Sequence, residues 1–285
     1  MFAAFLPLLF FSVPFFLFEQ SSQDRTTWRA FSGFVRGLPQ AGILSDKIGS
    51  MPREPTAEQF EVIRHDVWSF LLLTMLRYPQ SMLIVLAVGI VAPPLISQDL
   101  RTRAYLIYFA RPITRLEYIV GKVGVVGFFL LIFTALPALA LYVVGILLSP
   151  NLGVVLTTWD LPLRILLGSV CLIVPTTLVA LAFSSLTLES RIAGFAWFAM
   201  WIIGHVTYSA LIAIPTFGSR RLRLEYEPGW RMLTSPYQVL GNVQSYIFGF
   251  GESTSMVLPS FLLLVVVSAI SIVILFRRVN APMRA

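Results

Sequence analysis

The sequence predicts an all-α integral membrane protein that crosses the bilayer six times. Composition is the first reason: 57% of the 285 residues are hydrophobic and only 12% are charged, against roughly 25% charged residues in a water-soluble domain. With a mean hydropathy of +0.81, a soluble fold of this size lacks the polar residues to cover its surface. Second, six apolar runs approach the length of about 20 residues that a helix needs to cross the hydrocarbon. Third, cations crowd into short segments beside some of these runs, the pattern that orients membrane proteins. The net charge of +7 is therefore read as orientation and lipid-headgroup chemistry. It is not read as nucleic-acid binding, for which no zinc-knuckle, RNP or helix-turn-helix pattern is present. Residues 1–285 read as one transmembrane domain.

The first expected span is Phe2–Phe18, interrupted by Pro7 and Pro14. A cleaved signal peptide is its rival. That reading needs basic residues at the start and a small-x-small cleavage site; FLFEQSSQDR offers neither clearly, and a span is favoured. Residues 19–80 form a long outer insertion. Within it, FEVIRHDVWSFLLLTML reads as an amphipathic helix lying on the membrane surface, and Arg77, Tyr78 and Pro79 read as an interfacial break. The second span is Ser81–Ile96. The third, Tyr118–Leu148, is long enough to tilt or project beyond the bilayer. The fourth is Ile165–Leu188, with a possible kink at Pro175, and the fifth is Ile192–Ile214. Residues 215–255 form an outer loop in which PGWRMLTSPYQVLGNVQSYIFGFG is too polar to span; its Trp230, Tyr237, Tyr246 and Phe248 suit the membrane interface. The sixth span is Met256–Phe276. The lone Cys171 has no intrachain disulfide partner and reads as a small packing residue. Arg164 and Lys122 are expected to snorkel to their interfaces.

Six spans place both termini on one side, together with residues 97–117 and the turn Glu189–Ser190–Arg191. That side packs Arg101, Arg103, Arg111, Arg115, Lys122, Arg191, Arg277, Arg278 and Arg284 into short segments, while the other side holds eleven of the fourteen acids. Short loops and positions near span ends carry the most weight, so this side is assigned as cytoplasmic. Arg220, Arg221 and Arg223, just past the fifth span, run against the assignment and are tolerated in a long loop.

The densest charge lies in ISQDLRTRAYLIYFARPITRLEYIVGK, residues 96–122. Ser97 or Asp99 is placed to cap a short helix, on which Leu100, Ala104, Ile107 and Tyr108 form one stripe, with Arg101 and Arg103 off it. Pro112 ends that helix. Thr114 then opens a second helix, with Glu117 at capping-box spacing, running through Gly121 and Lys122 into the third span. Such a helix–corner–helix knob suits a lipid surface or a groove on a soluble partner. The bland reading is a set of topology anchors.

This stretch resembles the signature of ABC-2 type transporter permeases, in the subgroup with a long first extracytoplasmic loop. The matching positions are Asp99, Pro112, Thr114, Arg115, Gly121 and Lys122, and the six-span layout with a long loop before the last span is similar as well. Two features depart from the pattern: the family's acid is often Glu where Asp99 stands, and the family's elbow helix is not seen before the first span, so that either the start is truncated or the first span enters directly. The resemblance implies a permease subunit of an ATP-driven exporter in a bacterial cytoplasmic membrane. Residues 97–111 would be the coupling helix, with Asp99, Arg101, Arg103, Tyr105, Tyr108, Arg111, Pro112, Thr114 and Arg115 meeting a soluble ATPase subunit. Gly121 and Lys122 would form the entry to the third span, and short re-entrant helices would precede the sixth. Partners would be ABC ATPases, which carry the ATP and Mg, a second permease copy in a homo- or heterodimer, and membrane lipid. Transport would proceed by alternating access or lateral release. Aromatic Tyr105, Tyr108 and Phe109 are candidate anchors, and charge complementarity would select the partner.

The chain itself is expected not to be an enzyme and to hold no cofactor. The P-loop pattern fails at 116–123, where Leu116 replaces the first glycine and Val123 the Ser/Thr. There is no His-Glu-x-x-His and no Cys/His cluster with zinc spacing, no Asp pair inside two spans, and no Gly-x-Ser beside a His. His205, inside the fifth span, is either a packed neutral histidine or part of a substrate path. Glu189 and Arg191 are either a capped turn with an exposed ion pair or a second ATPase contact. Spans poor in charge favour an amphipathic or lipid-like cargo over an ion. A non-transporting membrane scaffold, or a subunit of a membrane enzyme complex, is the alternative.

Overall fold

The computed structural model describes residues 2–21, 25–48, 57–104, 114–216, 229–251 and 254–280. All regular structure among them is helical. That is the solution hydrocarbon imposes, because a helix satisfies every backbone N–H and C=O within the segment. Among the described residues, five helices are long and apolar enough to cross a membrane: Gln59–Arg101, Arg115–Leu148, Leu161–Leu186, Ser190–Ala213 and Ser255–Val279. By helix length and hydropathy the chain is an integral membrane protein. The first expected span is a shorter element, a 3-10 turn Phe2–Phe5 followed by the helix α1, Leu6–Gln20. At 1.5 Å per residue α1 covers about 22 Å, less than the roughly 30 Å of hydrocarbon.

The chain divides into two compact units. The first comprises Met1–Leu83, Leu131–Val170 and Gln244–Glu252. It contains α1, α2 (Arg25–Arg36), α3 (Ala41–Ile48) and α4 (Ala57–Met75). In α1, Phe11, Pro14, Phe15 and Phe18 turn inward, while Leu6, Leu9, Phe10, Val13 and Phe16 are exposed. Both faces are apolar, which suits a helix with protein on one side and lipid on the other. The core is aromatic. Phe15 meets Trp68, Phe18 stacks on Phe60 at 4.8 Å, and Trp68 meets Tyr142 edge-on.

Here the structure corrects the expected surface helix and break. Val67–Leu76 is buried on every side, so α4 is a core helix and not one lying flat on a membrane. Its apolar residues outnumber what one face can hold, and the neighbouring aromatic rings take up the rest. The break at Arg77, Tyr78 and Pro79 is a π-helical turn, Leu76–Gln80, that leads directly into α5, Ser81–Arg101. A wider turn accommodates a proline that lacks an N–H and would crowd the preceding carbonyl. Arg77 is buried, and its Nη1 donates to Ser245 Oγ at 2.6 Å.

The second unit comprises Ile84–Leu130, Cys171–Val243 and Ser253–Ala285. It holds most of α5, the start of α6 (Arg115–Leu148), the end of α8 (Leu161–Leu186) and all of α9 (Ser190–Thr216). It also holds most of α10 (Pro236–Ile247) and all of α11 (Thr254–Asn280); the short α7, Val154–Thr157, lies in the first unit. The expected outer loop contributes a 3-10 turn, Gly229–Thr234, and α10. Trp230 and Tyr246 are exposed, whereas Phe248 is fully buried. Helices in this unit approach through small residues. A Cβ added at Gly89 would run into the Phe198 ring, and one at Gly204 would lie 2.5 Å from Pro236 Cδ and 3.2 Å from Thr234 O. Close approach of this kind is how helices associate where lipid gives no hydrophobic drive.

Arg164, expected to snorkel, has two partners within the first unit. Its Nε lies 2.7 Å from Asp160 Oδ2, and Nη1 donates to Ile247 O at 3.2 Å.

Candidate functional site

The charged stretch of the sequence divides into three parts. The first belongs to α5. Residues 97–101 are the last turn of that 21-residue helix, so Ser97 and Asp99 do not cap a new helix, contrary to what their position beside an apolar run predicts. The helix ends at Arg101; two residues on, Arg103 is left-handed with a φ of 56°, and the Ala104 N–H donates to Asp99 O at 3.0 Å. This is the Schellman arrangement, in which a left-handed residue lets the chain return to the last carbonyls. Arg101 and Arg103 are exposed beyond it. Tyr105, Tyr108, Phe109, Arg111 and Pro112 lie outside the described residues.

The third part is the start of α6. Thr114 N donates to Glu117 Oε2 at 2.7 Å, and Glu117 N donates to Thr114 Oγ1 at 3.3 Å. This is the reciprocal capping box, and it fixes the direction in which α6 sets out. Arg115 and Glu117 are exposed. Gly121 is also exposed, and nothing lies within 4 Å of a Cβ added there.

Tyr118 and Lys122, four residues apart and so on one helical face, both turn to Asp99. Lys122 Nζ lies 2.8 Å from Asp99 Oδ2, and Tyr118 Oη donates to the same oxygen at 2.8 Å. The Lys122 ammonium also stands 5.5 Å from the Tyr118 ring centroid. The Asp99 and Lys122 side chains are 16% and 20% exposed. A lone charge at this depth is costly in an apolar surrounding, and a second charge with a phenol donor offsets that cost. Lys122 thus pairs with Asp99 across the junction. Asp99, one methylene shorter than Glu, reaches its partner.

The same end of α5 is held to two more helices. Ser184 Oγ inserts into the α5 backbone. It accepts from Ile96 N and Ser97 N at 3.1 and 3.0 Å and donates to Pro93 O at 2.5 Å. The hydroxyl joins the Pro93–Ser97 turn of α5 to α8 by three bonds to its backbone, one turn beyond the carbonyls that Pro93 and Pro94 leave without donors. Ser97 Oγ lies 2.8 Å from Ser190 Oγ. Ser190 opens α9 between Glu189 and Arg191, so these two residues join the charged junction at one end of the unit. Both are exposed, and they form no ion pair with each other. Thr187 Oγ1 closes their turn on Glu189 O at 2.9 Å.

His205 is exposed on the outer face of α9. The structure joins it neither to the charged junction nor to the apolar cavity of this unit. Three residues of the site are not singled out by the sequence pattern: Tyr118, Ser184 and Ser190. Tyr118 has a signal in its spacing, four residues before Lys122. Ser184 has none, because its partners lie on α5, some 90 residues earlier in the chain.

Family models, curated proteins and solved structures were compared with this chain, and none matches it.

Proposed function

We propose that this chain is the membrane-spanning permease subunit of an ATP-driven exporter of the ABC-2 type. In this reading it has six spans, its termini are cytoplasmic, and it works beside a second permease copy and soluble ATPases. The observation that carries the reading is the Asp99–Lys122–Tyr118 junction. A lever that passes force from a soluble motor to membrane helices must be anchored at both ends. One end of the segment between α5 and α6 is closed by the Arg103 turn and held by Ser97 and Ser184. The other starts from the Thr114–Glu117 box. The ion pair ties the two ends together, and the exposed Arg101, Arg103 and Arg115 offer charge to a partner groove. The resemblance of residues 99–122 to the permease signature supports the same reading, with the coupling contact moved into 102–114, because 97–101 belongs to α5. Glu189 and Arg191, exposed at the same end, would form a second contact. Energy comes from ATP on the partner, and the chain's own part is mechanical.

A tagged pull-down from gently solubilised membranes tests this directly. The expected result is a co-purifying soluble ATPase in equal copy number, lost when Arg101 and Arg103 are both changed to Glu. In reconstituted vesicles, Pro112→Gly is expected to leave ATP hydrolysis running while transport stops. No ATPase under conditions that preserve other membrane complexes would overturn the proposal and favour the scaffold reading.

A further inference from the structure

In the first unit, α6 and α8 are joined through the short α7 by a connection that carries no charge. No Asp, Glu, Lys, Arg or His stands between Lys122 and Asp160. The connection presents large apolar side chains instead: Leu152 is 77% exposed, Leu156 80% and Trp159 65%. Leu147 in the last turn of α6 and Leu163 in the first turn of α8 are exposed beside them. Apolar residues exposed singly need no explanation, whereas a group of them marks a contact with protein or membrane.

The polar groups of the connection are closed on one another. The N–H groups of Val155, Leu156 and Leu161 donate to the carbonyls of Leu152, Gly153 and Thr158 at 3.1, 3.0 and 3.1 Å. Thr157 Oγ1 and Thr158 Oγ1 both donate to Val154 O, at 3.0 and 2.7 Å, and Tyr142 Oη of α6 donates to Thr158 O at 3.3 Å. Backbone that meets hydrocarbon has to be satisfied internally in this way. Asp160, the first charge after the connection, is held by Arg164 Nε at 2.7 Å and His65 Nε2 at 3.0 Å. Continuity says what covers the patch. Leu163, Leu166, Leu167 and Val170 form one exposed apolar stripe along α8, a helix long and apolar enough to cross a membrane. Trp159 stands just before that stripe, and Trp is the side chain that favours the membrane–water boundary.

We infer that the connection between α6 and α8 is a membrane anchor, with Leu152, Leu156 and Trp159 seated in lipid at the boundary of headgroups and acyl chains. Lipid against the α8 stripe then continues over the tip without a break, and the tip presents it with no unmet charge. The anchor fixes the depth of the first unit and sets Asp160 and Arg164 at headgroup level, where a paired acid and base are tolerated. The inference is independent of the exporter reading.

The test uses the full chain in phosphatidylcholine–phosphatidylglycerol nanodiscs. Cys171→Ala removes the only native thiol, and spin labels are then placed one at a time at Leu156→Cys, Leu163→Cys and Leu167→Cys. Collision with dissolved oxygen, which enters lipid, is compared with collision with a nickel chelate, which stays in water. The Leu156 label is expected to favour oxygen, at a depth of about 5–10 Å below the headgroups, as interfacial anchors do. Leu167 lies four residues beyond Leu163, about 6 Å further along α8, and its label should lie deeper than that at Leu163. Leu152→Cys gives the same reading if the Leu156 variant fails to fold. A Leu156 label open to the chelate while the Leu167 label favours oxygen places the tip in water and overturns the inference. A Leu156 label shielded from both places it under protein, a second copy or a soluble partner, and overturns it equally. Chelate access at Leu167 as well would overturn the membrane reading of α8 and the anchor with it.

Discussion

The two units solve the same problem, holding helices together in an apolar solvent, by different means. The first uses large rings and buried charge. Phe15, Phe18, Phe31 and Trp68 are fully buried. Beside them Arg64 Nε lies 3.3 Å from Glu19 Oε1, which also accepts from Trp68 Nε1 at 3.0 Å, and Arg64 Nη1 donates to Glu61 at 2.6 Å. His65 Nε2 lies 3.0 Å from Asp160 Oδ1, and Asp160 in turn holds Arg164. The second unit uses glycine contacts and hydroxyls: Gly89 against Phe198, Gly204 against the backbone around Pro236, and Ser184 within the α5 ladder. Among its described residues, this unit pairs Asp99 with Lys122, whose side chains keep some exposure. The lesson is one of consequence. A buried ion pair tolerates no loss of a partner. A glycine crossing tolerates no gain of an atom. A partly exposed pair yields more gently to both.

Each variant below strains one side of that contrast, and the expected losses fall in order. Arg64→Ala leaves the Glu19 carboxylate buried beside Trp68. Breaking such a pair costs about 3–5 kcal/mol, read as a fall in thermal midpoint in detergent. Glu19→Gln with Arg64→Met removes both charges and should recover most of it. A double variant as unstable as the single one would place the stability in packing. Next, Gly204→Ala should cost about 1–3 kcal/mol, as overpacking does, because Pro236 and the Thr234 carbonyl are backbone-bound and do not give. Gly89→Ala meets the far edge of a ring and should cost less, with Phe198→Leu restoring it. Equal losses at the two glycines would break the distinction between ring and backbone contacts.

Smaller again is the junction. Asp99→Asn keeps an acceptor for Tyr118 and loses the attraction for Lys122, at about 1–2 kcal/mol on the scale of hydrogen bonds to charged groups. In a double-mutant cycle with Lys122→Met the two losses should not add; full additivity would mean the 2.8 Å contact contributes nothing. Smallest is Thr114→Ala, expected to lose about 1 kcal/mol of capping energy. Amide exchange should then quicken at the first turn of α6 and stay unchanged in the first unit.

Part of the junction is legible in the sequence. Thr114 and Glu117 lie three residues apart and need only each other, so local spacing foretells their reciprocal bonds. Asp99 and Lys122 stand out as charges beside apolar runs, but position along the chain alone sends Lys122 to the interface. Their pairing depends on how α5 and α6 come alongside, which no local pattern contains. The misplaced helix start at 97 has a similar origin. Asp and Ser near a helix end resemble an N-cap, yet here they close the C-terminal turn of a longer helix. The surface helix expected at 60–76 fails because Arg64, His65 and Asp66 resemble a solvated face. Arg64 is in fact buried against Glu19, and His65 is matched by Asp160, 95 residues away in sequence.

By itself, the sequence determined that this chain is helical and built to cross a membrane, and it located four of the five long apolar helices and the second half of the other, Gln59–Arg101. Hydropathy and backbone satisfaction are sums over neighbouring residues, so they are written locally. Tertiary structure alone decided that Gln59–Arg101 runs unbroken through Pro79, that Ser184 bonds the α5 backbone at Pro93, Ile96 and Ser97, and which charge meets which. It also decided that Trp197 finds an acceptor while Trp201 does not. These are questions of which helix faces which, and a partner tens of residues away is set by packing, not by spacing.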